Sequence, residues 1–128
     1  MPARILIVDD EENLARFLQQ ALLLEFPGGE IAVDLVYSGE EGLSRLAAQS
    51  YDLIIADYRM PGFNGLELIQ GVRYLDPYTA IILMTAYGSN DLVREAQALG
   101  VRQFFSKPFE IDDMLLVVRQ MLPAQRHK

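Results

Sequence analysis

The chain has 128 residues, 51% hydrophobic and 23% charged, with no cysteine, no tryptophan and a single histidine, His127, next to the C-terminal residue. Thiolate chemistry, disulfides, Cys-ligated metals, His-rich metal sites and Ser-His-Asp triads inside the fold are thereby excluded. The length suits one domain, which at this size buries roughly two-thirds of its unfolded surface without a covalent staple. Net charge is −7 and the nine arginines are scattered singly, so no basic stripe marks direct nucleic-acid binding. No apolar run approaches the ~20 residues that span a bilayer. The N-terminal Met-Pro-Ala-Arg leads straight into the first apolar run, so no signal peptide and a cytoplasmic location are expected.

Short apolar runs alternate with amphipathic ones five times along the chain. Ile5–Val8 is a run of β-favouring residues, the mark of a strand buried on both faces. After Asp9-Asp10-Glu11-Glu12, the spacing of Leu14, Phe17, Leu18, Ala21 and Leu22 predicts one face of a helix, which Pro27-Gly28-Gly29 ends. Ile31–Val36 reads as a second strand, and Ser38 as the cap of a helix carrying Leu43, Leu46 and Ala47. A third strand over Asp52–Asp57 leads through a Met60-Pro61-Gly62 loop to a helix with Leu66, Leu68, Ile69 and Val72, capped by Asn64. Asp76-Pro77 marks a turn before a fourth strand, Ala80–Met84. Gly88-Ser89-Asn90 opens a helix with Leu92, Val93, Ala96 and Leu99, stopped by Gly100. Val101–Phe105 is the fifth strand and Ile111–Leu122 the last helix, with Ile111, Leu115, Val118 and Leu122 as its core face, Met114 and Met121 flanking, and Leu116 turned to solvent. Five such units predict an α/β fold, a doubly wound parallel sheet with helices on both faces, over residues 1–122. Residues 123–128 are a tail or the stub of a linker.

Open α/β sheets bind ligands beyond the carboxyl ends of their strands. Asp9 and Asp10 follow the first strand, Asp57 ends the third, Thr85 the fourth, and Lys107, followed by Pro108, the fifth. Taken singly, a strand-end aspartate is a helix cap, Thr85 a β-favouring residue and Lys107 a solvated surface charge. Their joint placement at four strand ends points to a site. Crowded carboxylates repel one another unless a cation sits among them. An all-oxygen donor set favours a hard divalent ion, Mg²⁺ best, which can leave positions open to a phosphoryl group. Lys107 adds a second positive charge, and Asp57, alone at its strand end, is the natural nucleophile for an acyl phosphate.

These residues resemble the receiver domain of two-component response regulators. The resemblance is carried by Ile-Leu-Ile-Val-Asp-Asp-Glu-Glu from Ile5, Asp-Tyr-Arg-Met-Pro-Gly-Phe-Asn-Gly-Leu-Glu-Leu from Asp57, Met84-Thr85-Ala86-Tyr87-Gly88, and Phe104-Phe105-Ser106-Lys107-Pro108-Phe109. It covers Arg4 to Leu122 and implies a flavodoxin-like sheet of order 2-1-3-4-5. It further implies that Asp57 accepts a phosphoryl group from a histidine kinase or phosphotransfer protein. Asp10 would bind Mg²⁺ directly and Asp9 largely through water, with the Arg59 carbonyl completing the protein ligands. Thr85 would be the switch hydroxyl, Lys107 the phosphate's ion-pair partner across a cis Lys107–Pro108 bond, and Phe104 the switch aromatic. Arg59 and Tyr87 would border the site and tune the phosphate's lifetime. The implied output is a surface of the fourth helix, fifth strand and fifth helix that meets a downstream protein or effector domain, or a second copy in a phosphorylation-dependent homodimer. Leu116 lies on it.

The rival reading is a Mg²⁺-dependent phosphohydrolase that forms an aspartyl phosphate on Asp9. Its Asp-x-Asp spacing is missing, and the chain has no room for a substrate-covering cap. A flavodoxin-like nucleotide or flavin binder needs a Ser/Thr/Gly-rich cradle where this chain has four acids.

Overall fold

The structure, a computed structural model, describes residues 2–60, 63–86 and 90–122. Five parallel strands form the main sheet: β1 (Ala3–Val8), β2 (Ile31–Val36), β3 (Leu53–Asp57), β6 (Ala80–Thr85) and β7 (Gln103–Ser106). Their order is β2-β1-β3-β6-β7. The intervening β4 (Arg59–Met60) and β5 (Phe63–Asn64) are a two-residue antiparallel ribbon after β3, where the sequence suggested only a loop. Pro61 and Gly62 of that loop, and Gly88 and Ser89 ahead of the fourth helix, lie outside the described residues. With the ribbon set aside the order is the expected 2-1-3-4-5.

Side chains alternate across each strand and so sort into two cores. Leu6, Val8, Ile54, Ala56, Ile81 and Leu83 pack on one face against helices α2 (Gly39–Ala48), α3 (Gly65–Leu75) and α4 (Asn90–Ala98). Ile5, Ile7, Leu53, Ile55, Ile82 and Met84 pack on the other against α1 (Glu12–Glu25) and α5 (Ile111–Met121). Central strands are apolar along most of their length because both of their faces are covered. Among the described residues no helix is long and apolar enough to cross a membrane.

Local chemistry sets the helix ends. Ser38 Oγ accepts the Glu41 N–H at 3.1 Å, and Asn64 and Glu67 form a reciprocal capping box. Gly100, at φ +89°, closes α4, and Val101 N–H bonds the Ala96 carbonyl at 3.0 Å. Val101 is therefore part of that closing turn, and β7 begins two residues later than the apolar pattern indicates.

Two helix faces are rotated from expectation. On α1 the buried residues are Ala15, Leu18 and Leu22, while Phe17 is 51% exposed. The small Ala15 lets the helix approach the sheet closely, and Phe17 lies roughly 100° from Leu18, at the rim. On α5 the fully buried pair is Met114 and Val118, with Ile111, Leu115 and Leu122 only half-buried. Flexible methionine fills the gap beside α1 that the branched residues were expected to fill. On α2, Leu46 is buried and Ala47 is exposed. Leu116 is 57% exposed, as its spacing predicted.

Candidate functional site

The parallel register brings the ends of β1, β3 and β6 to one edge: Val8 pairs with Ala56, and Asp57 with Met84. Asp9 leaves β1 with its side chain fully buried. Its Oδ1 accepts the Glu11 N–H at 2.9 Å, a tight local turn that opens α1. Asp10, the next residue, is exposed. Asp57 is buried at the last position of β3, and the backbone just beyond it is pinned twice. Tyr58 N–H donates to the Met84 carbonyl at 2.8 Å, and Gly65 N–H donates to the Tyr58 carbonyl at 2.6 Å. Gly65 is required there, because a Cβ on it would stand 2.8 Å from the Tyr58 Cα. The start of α3 thus seats directly against the backbone that aims Asp57.

Lys107 arrives from the far side. Its N–H donates to the Thr85 carbonyl at 2.9 Å, tying it to the end of β6, and the Lys107–Pro108 bond is cis, as the resemblance implied. Its Nζ lies 3.3 Å from Asp9 Oδ2, 3.3 Å from Asp57 Oδ2 and 2.8 Å from Glu11 Oε1. One carboxylate oxygen from each of Asp9, Asp10 and Asp57 falls within 4.8 Å of the others. Thr85 is buried at the same edge, one residue past the partner of Asp57.

Burial dominates the electrostatics of this edge. It pushes the Asp9 carboxyl up to about 6, helped by the charge of Asp57 and opposed by the Glu11 N–H and Lys107. Asp57 is also raised, by burial first and by Asp10, although Lys107 and the Arg59 N–H favour its charged form. For Lys107, burial works against the ammonium, but the Glu11 hydrogen bond and the charges of Asp9 and Asp57 outweigh it and the pKa is raised. An acid cluster held at this electrostatic cost fits a resident cation, and its all-carboxylate donors fit a hard one such as Mg²⁺.

The structure therefore brings Asp9, Asp10, Asp57, Thr85 and Lys107 to one edge. Arg59 borders them from β4, exposed, with its N–H bonded to the Asp57 carboxyl. Phe104 is half-buried on β7, opposite Leu83 and against the core that includes α4. Tyr87 lies outside the described residues. Glu11 is the site residue that sequence reasoning left without a role. It is the third acid of the first run and the shortest contact of Lys107, a pairing across 96 positions that no local pattern encodes. Asp9 makes a poor nucleophile for the rival reading, since both of its oxygens are engaged, by the Glu11 N–H and by Lys107.

Comparison with known proteins agrees with this geometry. Residues 5–119 match the family model described as response regulator receiver domain. Response regulator ArlR of Staphylococcus haemolyticus is 40% identical over 126 residues, covering 97% of this chain and 54% of that protein. Its namesake from Staphylococcus saprophyticus is 38% identical, covering 98% and 54%. The chain thus spans about half the length of the curated relatives it matches. Among solved structures, chemotaxis protein CheY4 of Vibrio cholerae superposes with a TM-score of 0.84 at 26% identity, covering 95% of this chain and 100% of that one. The receiver domain of a putative Luxo repressor protein from Vibrio parahaemolyticus gives 0.85 at 26%, covering 94% and 90%.

Proposed function

The chain belongs to the response regulator receiver family, and from that premise we propose that it takes a phosphoryl group from a histidine kinase or phosphotransfer protein onto Asp57 and switches an output surface. The observation that carries this reading is Lys107 Nζ, 3.3 Å from Asp57 Oδ2 within a buried acid cluster. Asp10, Asp57 and the Arg59 carbonyl would hold Mg²⁺, with Asp9 acting largely through water, and the ion would offset charge on the transferred group. An Asp57 carboxylate oxygen attacks phosphorus and the donor's P–N bond breaks, leaving its electron pair on the imidazole nitrogen. Lys107 and the Thr85 hydroxyl each hold a phosphoryl oxygen.

The product carries roughly two negative charges where Asp57 carried one. Thr85 moves toward the new oxygens and Phe104 turns inward to fill the space behind it, because a void forfeits packing contacts. Phe104 sits on β7 between α4 and α5, so the change reaches that outer surface. Such coupling is typically worth ~1–3 kcal/mol, enough to shift populations without refolding. Leu116 offers an apolar contact there to a downstream protein, an effector domain or a second phosphorylated copy, and Leu116→Glu weakens that association. Arg59 and Tyr87 slow the attack of water on the acyl phosphate. Arg59→Asn and Tyr87→Ala therefore shorten its half-life. The receiver occupies residues 1–122, its setting is the cytoplasm, and it contacts no nucleic acid itself.

The test is exposure of the chain to a small phosphodonor with Mg²⁺, read by intact mass and size exclusion. The parent is expected to gain the mass of one phosphoryl group and Asp57→Asn none. An unlabelled parent, or a label that survives in Asp57→Asn, overturns the reading.

A further inference from the structure

The ammonium of Lys107 has three N–H donors, and three carboxylates already face it. Two of them, Asp9 and Asp57, are buried, and withdrawing either would strand a charge inside the protein. The third, Glu11, has a side chain 62% exposed, makes the shortest contact at 2.8 Å, and stands at the N-terminal boundary of α1, where it can turn into water.

We infer that Glu11 occupies the place on Lys107 that a phosphoryl oxygen on Asp57 must take, so that Glu11 is a built-in competitor of the phosphorylated state. This rests on the assignment of Asp57 as acceptor. Before phosphorylation Glu11 holds the ammonium and completes its hydrogen bonding. Afterwards the phosphoryl oxygen displaces it, because the exposed carboxylate is the one partner that rehydrates at little cost. Glu11 is thus a positioning residue that sets how readily Lys107 is released to the incoming group. Its release also leaves a mobile negative charge at the start of α1.

Two substitutions separate contact from field. Glu11→Gln removes the charge, while Glu11→Asp keeps the charge but shortens the arm that reaches Nζ. The affinity of the 128-residue chain for beryllofluoride, a phosphoryl mimic on carboxylates, is measured at saturating Mg²⁺. Both variants are expected to bind about two- to fivefold more tightly than the parent, the range that corresponds to loss of one exposed ion pair. A second measurement needs neither metal nor phosphoryl group. The rate at which an amine-acetylating reagent modifies Lys107 is compared with that at Lys128, the only other lysine, by peptide mass. Lys107 is expected to react faster in both variants.

Equal or weaker beryllofluoride binding by Glu11→Gln overturns the inference, as does unchanged Lys107 reactivity. Tighter binding by Glu11→Gln with Glu11→Asp matching the parent also overturns it, in favour of a simple field effect. A parent that binds no beryllofluoride overturns the acceptor assignment and this inference with it. A parent that binds normally with indifferent variants overturns this inference alone.

Discussion

At the carboxyl edge of the sheet Asp9, Asp10 and Asp57 crowd together and burial raises the pKa of two of them. At the amino edge of the same sheet Asp52 Oδ2 accepts the Arg4 N–H at 2.8 Å, while Arg73 spans the carbonyls of Leu99 at 2.6 Å and Thr79 at 2.7 Å. Both edges hold half-buried or buried charge and both bond some of it to backbone N–H or carbonyl groups, yet only the carboxyl edge crowds several like charges around a single ammonium. Arg73 ties the end of α3 to the end of α4 and the approach to β6. Its guanidinium is desolvated, which lowers its pKa, and Asp76 partly offsets this. The difference teaches where stability and function divide in this fold: one edge closes the structure, and the other crowds acids that, under the proposed function, a cation and a phosphoryl group would complete.

The strongest way to break the contrast is at the amino edge. Arg73→Met keeps the aliphatic stem and removes charge-assisted hydrogen bonds to two carbonyls. It should cost about 2–3 kcal/mol, read as a shift in the urea midpoint at constant m. Phosphoryl uptake by the folded fraction should survive, because Arg73 is remote from Asp57. Loss of uptake with stability intact would show that the amino edge belongs to the site. Gly65→Ala probes the carboxyl edge through packing instead of charge. The added methyl meets the Tyr58 Cα at 2.8 Å and Leu83 Cδ1 at 3.0 Å, and backbone cannot step aside cheaply. A cost of about 1–3 kcal/mol is expected, with slower phosphoryl uptake even where the variant is fully folded. Normal uptake would mean that the seating of α3 does not aim Asp57.

The sheet and the gathering of Asp9, Asp10, Asp57, Thr85 and Lys107 at one edge were legible because their signals are local: apolar runs mark buried strands, and the residue after each run lies at the carboxyl edge. Asn64 and Ser38 were legible as caps for the same reason. The α1 face was misplaced because Ala15 has too little apolar bulk to register beside Phe17, although closeness of approach decides which side is buried. The β7 boundary slipped because Val101 is apolar in a turn as it would be in a strand. Glu11 and Arg73 escaped because Lys107 lies 96 positions from the one and Leu99 lies 26 from the other, and only the folded chain brings these pairs within reach.

The finest test sharpens the contrast by removing one charge from the crowded edge. Asp9 titrates at about 6 when folded against an ordinary value of 3.8, so the folded chain binds this proton more readily than the unfolded chain. By linkage, the parent in chelator should gain stability from this group as pH falls from about 7 through 6, and the gain should be complete near 4. Asp9→Asn carries no such charge at any pH, and its amide oxygen can still accept the Glu11 N–H. At pH 7 without metal the variant should therefore be more stable than the parent, by no more than the roughly 3 kcal/mol that a rise of about two pKa units is worth. The gap should close as pH approaches 4. Adding Mg²⁺ at pH 7 should reverse the order, since a cation that binds only the folded state stabilises it by mass action and a neutral amide offers it less than a carboxylate. A variant less stable than the parent in chelator at pH 7 would mean that the contact of Asp9 with Lys107 outweighs its burial, and the carboxyl edge would then be as self-sufficient as the amino edge.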